Sequence, residues 1–98
     1  MIVHMALFSW KKSTSKEQID RIMSEIIELK SKCKGVIEPM GGENFCKHSK
    51  GFTHGVVVIV KDRKALDNYR NCKAHQKIAK IVDKMAEDGI GLDFQTKL

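Results

Sequence analysis

Gly51-Phe52-Thr53-His54-Gly55-Val56-Val57-Val58-Ile59-Val60 decides the fold. From Val56 to Val60 every residue is β-branched, which stiffens χ1 and suits a pleated strand. Successive side chains point to opposite faces. Phe52, His54, Val56, Val58 and Val60 therefore share one face, and Thr53, Gly55, Val57 and Ile59 the other. Both faces are apolar towards the C-terminal end, so both need a cover. His54 is a polar group on a face that is otherwise dry.

The rest of the chain must supply those covers. Ninety-eight residues predict one domain over 1–98. A chain of this size buries only about two thirds of the surface its unfolded form exposes, so a second copy would help. Hydrophobic residues make up 42% and charged residues 31%, an ordinary globular composition. No apolar run approaches the roughly 20 residues that span a bilayer. The start Met1-Ile2-Val3-His4 does not read as a signal peptide. The expectation is a cytoplasmic protein with no membrane partner. The net charge of +6 comes from 18 basic and 12 acidic residues, with lysines interspersed with acids along helices. Without a basic run interleaved with aromatics, this predicts solvated helix faces and no nucleic-acid partner. Cys33, Cys46 and Cys72 are odd in number and far apart, which reads as three free thiols in a reducing compartment. Lys32, Lys34 and Lys73 lie beside two of them.

Ile2 to Trp10 is the first strand, with Ile2, His4, Ala6, Phe8 and Trp10 on one face and Val3, Met5 and Leu7 on the other. A histidine again interrupts an apolar face. Thr14 with Glu17, or Ser15 with Gln18, fits a capping box. A helix follows from about Lys16 to Lys32, with Ile19, Ile22, Met23, Ile26 and Ile27 as its stripe. Gly35 is a candidate stop. Val36 to Met40 opens a second strand, which Pro39 assigns to an edge or a bulge. Gly41-Gly42 lacks a phosphate-loop context and reads as a bend or a close backbone approach. After the central strand, Asp62-Arg63-Lys64 starts a short helix through Leu66 and Tyr69, broken at Asn71-Cys72-Lys73. A further helix covers about Ala74 to Glu87. Gly89-Ile90-Gly91 reads as a turn, and Leu92 to Gln95 as the last strand.

The order β-α-β-β-α-β, with its second helical part split, predicts an α+β, ferredoxin-like protomer with a four-stranded antiparallel sheet. Helices would cover one sheet face. The first and third strands are apolar on both faces, so the open face would leave a large patch on a monomer. The economical cover is a second copy, giving a homodimeric α/β barrel with the chain as its own partner.

Several short motifs carry a family resemblance over essentially the whole chain. Val3-His4-Met5-Ala6-Leu7-Phe8 is similar to the V-x-H-x-x-L-F opening of the stress-responsive dimeric α/β-barrel (Dabb) domains. Gly51-Phe52-Thr53-His54 is similar to their G-[FY]-T-H segment. Tyr69 with Ala74-His75 resembles their Y-x-x-H-P-x-H motif, and Asp93-Phe94 their D-[FY]. The resemblance implies a ferredoxin-like protomer, a homodimeric barrel and a cavity within each protomer. Many members have no established activity; one plant member cyclises a polyketide without a cofactor, and others are heat-stable stress proteins that assemble. His4 and His75 match the histidines that line the cyclase site, and Tyr69 and His54 match further family positions. The chain departs from the cyclase where Ile26 stands near its helical tyrosine, where Cys72-Lys73 replaces His-Pro, and where Phe94 lacks a hydroxyl.

These readings name His4, Tyr69 and His75 as candidate catalytic groups, and His54, Phe8 and Ile26 as candidate ligand contacts around one region. Histidine titrates near neutral pH, so a His pair with a Tyr suits acid–base work on an acidic C–H or an enol. The plain alternative is core histidines satisfied by their neighbours. No carboxylate or cysteine is seen to converge with them, so no metal is expected, and no cofactor either. His48 lies in a polar loop and reads as solvated. Two functions stay open: a small organic molecule bound, or transformed without a cofactor, or a non-enzymatic stress or structural protein acting by assembly. Oxygenase or haem chemistry, known in neighbouring barrel families, would need a constellation this sequence does not display.

Overall fold

The computed structural model describes residues 1–97; Leu98, the end of the predicted domain, lies outside the described residues. The elements run β1 (Ile2–Trp10), α1 (Lys16–Lys32), β2 (Val36–Glu43), β3 (His54–Val60), α2 (Arg63–Asn71), α3 (Lys73–Met85) and β4 (Ala86–Gln95). The four strands form one antiparallel sheet in the order β2-β3-β1-β4. This is the ferredoxin-like arrangement read from the sequence. The two strands that are apolar on both faces, β1 and β3, are the inner pair. Pro39 falls on β2, an edge strand, where a missing N–H is tolerated.

Local signals set the helix ends. Ser15 caps α1: its hydroxyl accepts from the Gln18 amide at 3.1 Å, and the Gln18 side chain accepts from the Ser15 amide at 2.8 Å. Asp62 caps α2 by accepting from the Ala65 amide at 2.8 Å. The core forms where α1, α2 and α3 cover one sheet face. Ile22 and Leu29 of α1 pack with Val58 and Val60 of β3 and with Leu66 of α2, all buried. Burying each such side chain stabilises the fold by about 1.5–3 kcal/mol. Two glycines admit close approaches. Gly35 has φ +87°, and a Cβ there would lie 2.9 Å from the Ala65 Cβ. At Gly41 a Cβ would lie 2.8 Å from the Met23 Cε, so the bend read at Gly41-Gly42 is a close approach of β2 to α1.

Four readings change. Ile27 faces solvent, and Leu29 completes the α1 stripe instead. β3 begins at His54, because Gly51 and Phe52 belong to a turn in which the Phe52 amide donates to the Ser49 carbonyl at 3.0 Å. Gly89-Ile90-Gly91 is not a turn but part of β4, which starts at Ala86 and pairs Gly89 with Phe8 and Gly91 with Ala6. A glycine pair marks a turn only while its backbone lacks a partner, and β1 supplies one. Finally, Cys33 and Cys72 are joined as a disulfide with Cα atoms 5.9 Å apart, and only Cys46 is a free thiol. Folding brings the C-terminal ends of α1 and α2 together, a proximity that 39 residues of separation conceal.

Among the described residues, no element covers the second sheet face. Phe94, Leu92 and Ile90 on β4 lie opposite Val3, Met5 and Leu7 of β1, and are 44%, 56% and 56% exposed. No helix among the described residues is long and apolar enough to cross a membrane.

Candidate active site

Strand register creates the first part of the site. On β1, His4 lies directly opposite Asp93 of β4. Its Nδ1 meets Asp93 Oδ1 in a short contact, and the Arg70 guanidinium meets the other carboxylate oxygen. A carboxylate at Nδ1 holds the proton on that nitrogen and leaves Nε2 with a free lone pair. Burial alone would raise the Asp93 pKa. The hydrogen bonds from His4 and Arg70 outweigh it, so the carboxyl titrates below its ordinary range and stays ionised.

The helices add the second part. Tyr69, in the last turn of α2, is almost fully buried. Its ring stands edge-on to His4, with centroids 6.1 Å apart, and tilts against His75 of α3 at 4.4 Å. Burial pushes the Tyr69 pKa up from 10.0 to about 12, so its hydroxyl keeps its proton. His75 is pushed below its ordinary 6.5, chiefly by burial; a hydrogen-bonding interaction with the Arg70 backbone opposes this, and the charges of Arg70 and of His4 when protonated add to it. It is therefore neutral at pH 7. Its Nδ1 is buried and has no hydrogen bond of good geometry among the described residues.

These groups border a cavity of about 150 Å³ between sheet and helices. His4, Tyr69, His75 and Asp83 supply its polar groups, while Phe8, Ile26 and Leu29 belong to its apolar wall. Five of the six residues singled out in the sequence thus meet around one space. The sixth does not. His54 lies opposite Phe8, four residues along β1 from His4, or about 13 Å at strand spacing. There its Nδ1 accepts from Trp10 Nε1 at 2.9 Å and lies 3.0 Å from the Thr53 hydroxyl. It does not line the cavity, so the expectation that it joins His4 and His75 is corrected. His48 is exposed, as read.

Sequence reasoning missed two members. Asp93 was visible only as part of a family-like dipeptide, because its pairing with His4 needs the β1–β4 register. Arg70 follows Tyr69 directly and carried no signal of its own. No three His, Cys, Asp or Glu side chains among the described residues converge as a metal ion would require.

The stress responsive A/B barrel domain model matches residues 2–96. The chain belongs to the Dabb family. No curated protein matches it in sequence. Its fold is shared with an Arabidopsis thaliana protein at TM-score 0.92 and 19% identity, covering 100% of this chain and 97% of that one. A hydroxynitrile lyase from Passiflora edulis superposes at TM-score 0.90 and 19% identity, over 99% of this Dabb chain and 94% of the lyase. A dimeric ferredoxin-like protein of unknown function from Thermobifida fusca follows at 0.85 and 18%, covering 97% and 90%. At these identities the likeness is one of fold.

Proposed function

We propose that the cavity binds a small organic molecule and that His4, oriented by Asp93, acts on it as a general base without a cofactor. The observation that carries this is His4, hydrogen-bonded to Asp93 behind it, bordering an apolar cavity. In this reading His4 Nε2 takes a proton from a hydroxyl or an activated C–H of the ligand. Ionised Asp93 steadies the imidazolium that forms, as a carboxylate does behind a catalytic histidine. Tyr69, protonated far above neutral pH, donates a hydrogen bond to the oxygen on which negative charge grows. Neutral His75, against the Tyr69 ring, offers the ligand a further hydrogen-bonding nitrogen. His75 Nδ1 is buried without a hydrogen bond of good geometry, its interaction with the Arg70 backbone notwithstanding, and is a polar group that a ligand can satisfy. A volume near 150 Å³ suits a benzene-sized molecule. A hydroxynitrile lyase shares this fold.

The test is a thermal-shift screen of small aromatic, keto and hydroxy acids, repeated with His75→Ala. Compounds that stabilise the parent protein and lose that effect in the variant support the site. A uniform lack of response sinks it and leaves the second reading: a non-enzymatic stress or structural protein that acts by assembly. One observation favours that reading independently, the bare apolar face of Ile90, Leu92 and Phe94. In either case we propose a cytoplasmic homodimer packed through this face. A monodisperse monomer at micromolar concentration in light scattering would exclude the dimer.

A further inference from the structure

We infer that Cys33 and Cys72 form a redox switch that sets the geometry of the cavity. Cys72 is the C-cap of α2 and also the N-cap of α3, the single residue between the two helices. Tyr69 lies three residues before it and His75 three residues after it. A bond at Cys72 therefore holds the joint on which both aromatic groups of the cavity depend. Its partner, Cys33, is the C-cap of α1, four residues after Leu29 in the cavity wall. The disulfide ties that wall to the joint. No side-chain hydrogen bond caps α3 at Cys72; the joint is held by the backbone bonds of Cys72 to Tyr69 and Gln76, by the Tyr69–His75 contact and by the disulfide.

The surroundings favour exchange. Lys32, Lys34 and Lys73 flank the two cysteines in sequence, and neighbouring cations stabilise a thiolate, as does a helix N-terminus. Cys33 is buried while Cys72 is partly exposed, so a reagent enters at Cys72. With a small disulfide such as oxidised glutathione, the Cys72 thiolate attacks one sulfur and releases one thiol. The Cys33 thiolate then attacks the Cys72 sulfur and releases the second thiol. Two protein thiols become one disulfide, and the oxidant takes two electrons and two protons as two thiols. Reduction by a dithiol reverses this. Cys46, exposed and unpaired, takes no part. The formation of the bond does not depend on the proposed ligand; only its effect on binding rests on that reading.

The experiment compares the full chain equilibrated with oxidised glutathione and with dithiothreitol. Alkylated in denaturant, the Cys46→Ser chain shows no reactive cysteine and no bound glutathione by mass in the oxidised form, and two reactive cysteines in the reduced form. Tm falls by about 10 °C or more on reduction. The histidine ring resonances of His4 and His75 shift between the two forms without any ligand. Cys72→Ser abolishes both responses and Cys46→Ser keeps them. Two alkylating cysteines, or bound glutathione in place of the bond, in the oxidised Cys46→Ser chain would overturn the bond. A bond that forms while the His75 resonance stays fixed would overturn its coupling to the cavity. If the resonances move but no compound binds in either form, the proposed ligand function fails and the switch stands.

Discussion

Two histidines sit on the helix-facing side of the inner strands, and they hold opposite tautomers. His4 donates its Nδ1–H to Asp93, so in the neutral ring its Nε2 is an available base beside a cavity. His54 accepts at Nδ1 from Trp10, whose indole N–H can only donate. Its proton must then sit on Nε2, and its basic lone pair is already used. In the sequence the two look alike, each a polar interruption of an apolar strand face. The neighbour on the adjacent strand, a carboxylate for one and an indole for the other, decides which can do chemistry.

The largest expected effect separates them by function. On any substrate found by the ligand screen, His4→Gln lowers kcat/KM by about 10²–10⁴-fold, the usual contribution of a positioned acid or base. His54→Gln changes it less than about twofold. Equal losses from the two substitutions would erase the distinction. Nitrogen-15 NMR of the ring nitrogens checks the tautomers directly.

Next in size is Tyr69, which belongs to the His4 end. Its folded-state pKa of about 12 lies above the ordinary 10.0, so the unfolded chain loses this proton first. The associated stability is complete below pH 10 and is lost as pH rises towards 12. Two pKa units correspond to about 2–3 kcal/mol. Urea unfolding at pH 9 and 11.5 should show this loss in the parent, and Tyr69→Phe should remove that part of it. A variant as alkali-sensitive as the parent would mean that Tyr69 is not buried as described.

The architecture was legible because it rests on periodicity. Five consecutive β-branched residues in β3, the two-faced β1 and the Ser15–Gln18 capping box each announce themselves locally. The reading failed where the deciding partner is remote. Gly89 and Gly91 look like a turn until β1 pairs with them. Cys33 and Cys72 look free until two helix ends converge. His54 looks like a companion of His4 until the β1–β3 register puts it opposite Phe8. Strand alternation put His4, Phe8 and His54 on one kind of face and helical spacing turned Ile26 and Tyr69 inward, but the grouping of His4, Tyr69 and His75 into one site came from the family resemblance. Asp93 and Arg70 were missed because their importance comes from contacts made only across the sheet edge.

His75 gives a smaller effect, since it is less buried than Tyr69. Its folded-state pKa lies below 6.5, so the unfolded chain binds this proton first as pH falls. The stability it contributes is complete above pH 6.5 and declines between there and the folded-state value. Asp93 contributes its loss only at lower pH, below its ordinary 3.8. The parent should thus lose stability between pH 7 and 5, and His75→Phe should lose less over that interval. An unchanged slope in the variant would assign the acid sensitivity to other groups.

The smallest effect tests the other end of the comparison. Trp10→Phe keeps an aromatic ring stacked on Phe8, whose centroid lies 5.4 Å away, but removes the N–H donated to His54. One neutral hydrogen bond contributes about 1 kcal/mol, and Thr53 remains to satisfy His54 Nδ1 at 3.0 Å. The loss should be no more than about 1 kcal/mol. Pairing it with His54→Phe in a double-mutant cycle isolates the bond, because the two residues touch. Neither substitution should alter the ring resonances of His4 or His75. If Trp10→Phe moved those resonances as strongly as reduction of the disulfide does, the two ends of β1 would be coupled, and His54 would belong to the same site after all.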